Sequence, residues 1–133
     1  MKILLNLKKI LFVFLLAITS MLLNSCHKEG LGGNASISGL VKHHDALIPN
    51  ATVYIKYGVT EFPGTDVSVY DASVVADTKA NYEFVSLYKG DYFIYGVGID
   101  VNGGVSNSFP VTGGISIKIK HNKAYSIDVP VTE

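Results

Sequence analysis

The stretch ISIKIKHNKAYSIDVPV, residues 115–131, alternates apolar and polar side chains along almost its whole length. Ile115, Ile117 and Ile119 alternate with Ser116, Lys118 and Lys120. Beyond His121-Asn122-Lys123, Tyr125, Ile127, Val129 and Val131 alternate with Ser126, Asp128 and Pro130. Successive side chains of a strand point to opposite faces, so a period of two gathers the apolar set on one face and the polar set on the other. The pattern predicts a β-hairpin with one wet and one buried face. Pro130 has no backbone donor, so the last strand is expected to end there or to run along an edge.

The same period recurs upstream. SISGLVKH and ATVYIKY flank the turn-rich HDALIPN, with Val53, Ile55 and Tyr57 on one face and Thr52, Tyr54 and Lys56 on the other. DVSVYDASVVADT, NYEFVSL, DYFIYGVGI and VSNSFPV read as further short strands, separated by Lys79-Ala80, Lys89-Gly90 and Asn102-Gly103-Gly104. No stretch after residue 26 has a helical period. Residues 35–133 are enough for one core, and the spacing predicts an all-β, seven-stranded Greek-key β-sandwich.

The segments ISGLVKHHDALIPNATVYI and ADTKANYEFVSLYKGDYFIYGVG carry a family resemblance. They are similar to the carboxypeptidase regulatory-like domain, a transthyretin-like (prealbumin-like, Ig-like) sandwich of secreted and envelope proteins in Bacteroidota. The matching positions are Gly39 and Val41, Ile48-Pro49-Asn50-Ala51, Asp77-Thr78 through Tyr82 and Phe84, Leu87, and Lys89-Gly90 before Tyr92. Each has a structural reason: Pro49 presets φ and Asn50 tolerates the left-handed region, while Gly90 lets the chain reverse. Where the family has glycine this chain has Asn81, which is expected to take a positive φ.

The N-terminus has a different character. Lys2, Lys8 and Lys9 precede the apolar run Ile10 to Ile18, the layout of a signal-peptide helix over residues 1–25. Ile10 to Leu23 is shorter than the roughly 20 residues of a membrane-spanning helix. Leu23-Asn24-Ser25-Cys26 resembles a bacterial lipobox. The resemblance implies cleavage between Ser25 and Cys26 and acylation of Cys26, the chain's one cysteine, by palmitate-type chains. Several acyl chains make a stable anchor where one holds only reversibly. The membrane is thus the expected partner at Cys26, with residues 26–34 as a flexible tether. The location implied is the cell envelope, most simply the outer membrane, with either its periplasmic or its surface face open.

The whole chain has eleven lysines, no arginine and eleven carboxylates; losing Lys2, Lys8 and Lys9 with the signal leaves a net charge of −3. A mildly acidic chain without guanidinium groups does not suit phosphate-dominated nucleic-acid binding.

Catalytic chemistry is equally sparse. There is no Gly-x-Ser-x-Gly elbow and no Ser, His and Asp spacing that suggests a triad. His43-His44-Asp45, with His121, could supply metal ligands, but adjacent strand residues face opposite ways, so no metal site or other cofactor is expected. Asp100-Val101-Asn102-Gly103-Gly104 reads as a hairpin turn rather than a calcium loop. An isopeptide bond would need Lys42 or Lys56 beside Asn122 and a buried acid.

The aromatic residues Tyr82, Phe84, Tyr88, Tyr92, Phe93 and Tyr95 are divided by the same alternation between core and surface. Tyr88, and whichever of Phe93 and Tyr95 points outward, are the candidate ligand contacts. The loop 58–73 is longer than the fold requires and is a second place for binding residues. The chain is therefore expected to be a non-enzymatic envelope lipoprotein whose sandwich is a structural or protein-interaction module for an envelope protein partner. The alternative is a glycan-binding or adhesive surface lipoprotein.

Overall fold

The structure, a computed structural model, describes residues 29–101 and 105–133. The expected signal peptide over 1–25, the cleavage site at Ser25 and Cys26, the acylated Cys26 and the turn at 102–104 lie outside the described residues.

Among the described residues there are nine strands and no α-helix. They are β1 (Leu31–His43), β2 (Ala46–Leu47), β3 (Thr52–Tyr57), β4 (Ala72–Val75), β5 (Asn81–Leu87), β6 (Gly90–Asp100), β7 (Phe109–Ile119), β8 (Ala124–Ser126) and β9 (Val129–Pro130). Short 3₁₀ turns occupy Val67–Val69 and Val105–Asn107. One sheet is built around β1, which pairs antiparallel with β2 and β5 and parallel with β8 and β9. The other is antiparallel throughout, in the order β4-β3-β6-β7.

The two sheets enclose one core. Ile37 and Val41 from β1, Val53 and Ile55 from β3, and Tyr92 and Ile94 from β6 are all essentially inaccessible, with Ile48, Leu87 and Val129 filling the ends. Each such side chain is worth roughly 1.5–3 kcal/mol against exposure. The core therefore outweighs the three lysine ion pairs on the surface, which at such exposure add at most about 1 kcal/mol each.

The strand count departs from the expected seven. VSNSFPV and ISIKI merge through Gly113-Gly114 into the single β7, and only Ala72–Val75 of DVSVYDASVVADT is a strand. The C-terminal alternation is also differently paired from a hairpin. β7 lies against β6, whereas β8 and β9 cross to the other sheet and run parallel to β1. Period-two alternation fixes which face is buried and leaves the partner open, and the Lys120–Lys123 turn takes the chain across. Tyr125 Oη holds that turn, accepting from the Lys120 and His121 N–H groups at 3.0 Å each.

Two further expectations are corrected. Leu31 to Asn34 belong to β1 and not to the tether, because Leu31 and Ala35 both find a partner in Leu87. At the β4–β5 turn the positive φ falls on Ala80, at 64°, and not on Asn81, which opens β5. The Asp77 carboxylate sets this turn, accepting from the Lys79 and Asn81 N–H groups at 2.8 Å. Asn50 takes φ 57°, as its place after Pro49 predicts.

Candidate ligand-binding cleft

The start of β1 departs from regular pairing in a way that opens a cleft. Leu31 and Ala35 share Leu87 as partner, so Gly32, Gly33 and Asn34 stand out of the ladder as a bulge. Gly32 has φ 114°, and a Cβ there would meet Tyr88 Oη at 2.6 Å. A Cβ on Gly33 would overlap the Leu87 carbonyl oxygen. Backbone alone fits at both places. A second irregularity between Ala35 and Ile37 coincides with Ser86 at φ 58° on β5.

The bulge leaves an open cleft of about 320 Å³ lined by Gly32, Gly33, Asn34, Tyr88, Lys89 and Asn122. Three elements bring these residues together: the bulge, the β5–β6 turn and the β7–β8 connection. Its wall is fixed from beneath. Tyr88 N–H donates to the Gly30 carbonyl at 2.9 Å, while the Tyr88 carbonyl accepts from Tyr92 Oη at 2.8 Å. The same Tyr92 hydroxyl accepts from Gly30 N–H at 3.0 Å. Burial raises the Tyr92 pKa above the ordinary phenol value, so the hydroxyl keeps the proton it donates.

The lining has a definite chemistry. Two carboxamides can each donate and accept, as sugar hydroxyls do, the phenol ring offers an apolar face, and Lys89 offers a cation. The cleft lining contains no carboxylate, imidazole or thiol. It has the means to hold a polyhydroxylated ligand, and the paired carboxylates of glycoside hydrolysis are not among its lining residues.

Of the three aromatic positions singled out in the sequence, only Tyr88 borders this cleft. Phe93 and Tyr95 do point away from the core, as alternation with Tyr92 and Ile94 requires, yet they are only 7% and 2% exposed. The segment 58–71 crosses this face as a strap and buries them. Phe62 lies 5.7 Å from Phe93 and 5.3 Å from Tyr95, and Tyr70 stacks on Tyr95 at 5.4 Å with 13° between the rings. Asp71 fastens the strap, accepting from Tyr57 N–H at 2.7 Å and Lys56 Nζ at 3.1 Å. The long loop is thus a cover for a second aromatic layer, and neither Phe93 nor Tyr95 is available as a ligand platform. Period-two reading finds the face a side chain points to; it cannot see a cover that folds back from elsewhere in the chain.

The three histidines among the described residues are divided between the ends of the sandwich. His43 is buried with Nδ1 2.8 Å from Asp100 Oδ2. His44 takes φ 54°, which brings its exposed ring to 4.5 Å from that of His43 despite their adjacency. His121 sits in the β7–β8 connection, at the opposite end of β1. No group of three or more metal-ligating side chains occurs among the described residues. Lys42 and Lys56, the candidates for an isopeptide bond, instead pair with Asp128 and Asp71. The signal for the cleft was present in the sequence as Gly32-Gly33-Asn34, although such a run reads equally well as a linker.

No protein-family model matches the chain, and no curated protein matches it. Among solved structures, a candidate carbohydrate-binding protein of Pseudomonas aeruginosa superposes with a TM-score of 0.56. The alignment covers 76% of this chain and 90% of that one, at 11% identity. The likeness is one of fold.

Proposed function

We propose that this chain is a non-enzymatic lipoprotein of the cell envelope, anchored in the outer membrane through Cys26, whose sandwich binds carbohydrate in the Tyr88 cleft. The observation that carries the reading is the convergence of Tyr88, Asn34, Asn122 and Lys89 on one open concavity floored by glycine backbone. The fold shared with a candidate carbohydrate-binding protein of P. aeruginosa supports it. We assign the sandwich to the transthyretin-like, carboxypeptidase regulatory-like group on its sequence resemblance, in which Gly39, Asn50 and Gly90 hold structural places.

A glycan array probed with the full chain tests the reading. Tyr88→Ala and Asn122→Ala are each expected to weaken binding on the order of tenfold, the loss of one stacking or hydrogen-bonding contact. Their melting temperatures should stay close to that of the parent. Binding unaffected by either change would remove the cleft from the proposal.

The reading as a protein-interaction module has its own observation. Phe62, Val67 and Val69 are 52%, 43% and 38% exposed on the strap. Crosslinking in intact cells that captures one envelope protein, lost on Phe62→Ser with Val67→Ser, would favour it over carbohydrate.

A further inference from the structure

The cleft stands at a particular end of the sandwich, and the chain enters the fold at that same end. Gly30 is tied by two hydrogen bonds to Tyr88 and Tyr92, and the Glu29 side chain occupies the space where Gly90 lacks a Cβ. Glu29 is three steps along the chain from Cys26, a span of at most about 11 Å. If Cys26 is acylated, this end cannot stand far from the lipid surface.

Charge is distributed along the same axis. Lys56, Lys89, Lys118, Lys120 and Lys123 lie at this end with three carboxylates, Glu29, Asp71 and Asp91; Asp71 is 3.1 Å from Lys56 Nζ and Asp91 2.9 Å from Lys118 Nζ. Lys89, Lys120 and Lys123 are exposed. The rest of the domain carries Lys42 and Lys79 against the eight remaining carboxylates. The domain as a whole is acidic, and its basic end is the one from which the tether leaves. An anionic bilayer attracts such an end and repels the other, and the effect acts within about 10 Å of the surface.

We infer that the Tyr88 cleft faces the membrane and takes an anionic saccharide carried on that surface, the head group of a phosphorylated glycolipid. The inference rests on the carbohydrate reading of the cleft and on the Cys26 anchor, and it adds the class of ligand. Asn34, Asn122 and the Tyr88 ring meet the sugar, and Lys89, the cation of the cleft lining, meets its phosphate. A free, neutral oligosaccharide would make no use of the Lys89 charge.

The test uses the full chain, purified from membranes and reconstituted in phosphatidylcholine nanodiscs. Intact mass first shows whether Cys26 carries acyl chains, which decides the anchor separately. Hydrogen exchange is then compared in discs containing monophosphoryl lipid A, phosphatidylglycerol or galactosylceramide. Slowed exchange at 31–35, 86–90 and 120–124 is expected with monophosphoryl lipid A, well beyond that with either other lipid. Lys89→Gln, at an exposed position, should weaken that protection on the order of tenfold, as loss of a charge-assisted hydrogen bond implies. Equal protection by phosphatidylglycerol would reduce the surface to a general anionic contact and overturn the inference. Protection by galactosylceramide alone would overturn it while leaving carbohydrate binding intact. No protection by any lipid, together with binding of soluble glycans on an array, would do the same; loss of array binding as well would sink the carbohydrate reading itself.

Discussion

His43 Nδ1 and Asp100 Oδ2 are 2.8 Å apart, with both side chains almost entirely removed from solvent. The pair joins the last residue of β1 to the last residue of β6, and so ties one sheet to the other at the end away from the cleft. Phe109 closes over it edge-on at 5.7 Å from the His43 ring. Removing one member leaves the other buried without this partner. Asp100→Ala is therefore expected to cost about 3 kcal/mol, and Asp100→Asn, which keeps an acceptor, clearly less. Chemical denaturation of the two variants checks the order, and equal losses would show that the tie is not the source of the effect.

Gly39 places a different limit on the fold. A Cβ there would run into the carbonyl oxygen of Ile127, the segment by which β8 and β9 follow β1. That carbonyl accepts from Tyr82 Oη at 2.8 Å, and Ile127 N–H donates to Ser38 at 2.8 Å. Gly39→Ala must push the C-terminal strands away and lose both bonds. A loss of about 2 kcal/mol or more is expected, against a few tenths for an alanine at an open strand position. Faster exchange at 124–131 than in β3 and β6 would place the damage where the contact predicts.

These two sites show what the sequence could and could not convey. The alternation of Ile115, Ile117 and Ile119, or of Val53 and Ile55, was legible because a strand's faces are fixed by local geometry. The crossing of β8 and β9 to β1 was not, since period two is satisfied by either partner. Asp100 and His43 lie 57 positions apart and carry no mutual spacing signal. Tyr88 was legible as an aromatic at a turn, but Asn34 and Asn122 join it only because Leu31 and Ala35 compete for Leu87. The burial of Phe93 and Tyr95 depended on the strap, whose aromatic residues Phe62 and Tyr70 looked like ordinary loop residues.

The strap makes a prediction of its own. Tyr70 donates to the Gly64 carbonyl at 2.9 Å and stacks on Tyr95, and burial, followed by the charge of Tyr95, pushes its pKa up to about 12. Burial also raises the pKa of Tyr82, whose hydroxyl donates to Ile127. Both groups are neutral in the fold at pH values where an unfolded tyrosine, near 10, would ionise. Their contribution to stability is complete below about pH 10 and is lost as the pH rises through the raised values. Titration followed at 295 nm should thus show late tyrosines that ionise together with unfolding. Tyr70→Phe should remove one of them and loosen residues 58–71 without melting the core.

At the acid end the decisive group is Asp128. Its carboxylate accepts from Lys42 Nζ at 2.6 Å and from Leu40 N–H at 3.0 Å, and these two bonds, in that order, hold its pKa below the ordinary aspartate value. The folded state thus prefers the ionised form more than the unfolded chain does. The resulting stability is fully present above the unfolded value of about 3.9 and disappears as the pH falls through the lower folded value. Asp77, depressed chiefly by the Asn81 backbone and side-chain hydrogen bonds, acts in the same direction at the β4–β5 turn. Both groups are well exposed, so each effect is small at neutral pH. Asp128→Asn should lower the melting temperature modestly at pH 7 and leave the difference from the parent smaller at pH 3, where the parent has begun to lose the same charge. A gap that widened on acidification would mean that the Lys42 and Leu40 bonds do not govern the acid sensitivity of the β1–β9 junction.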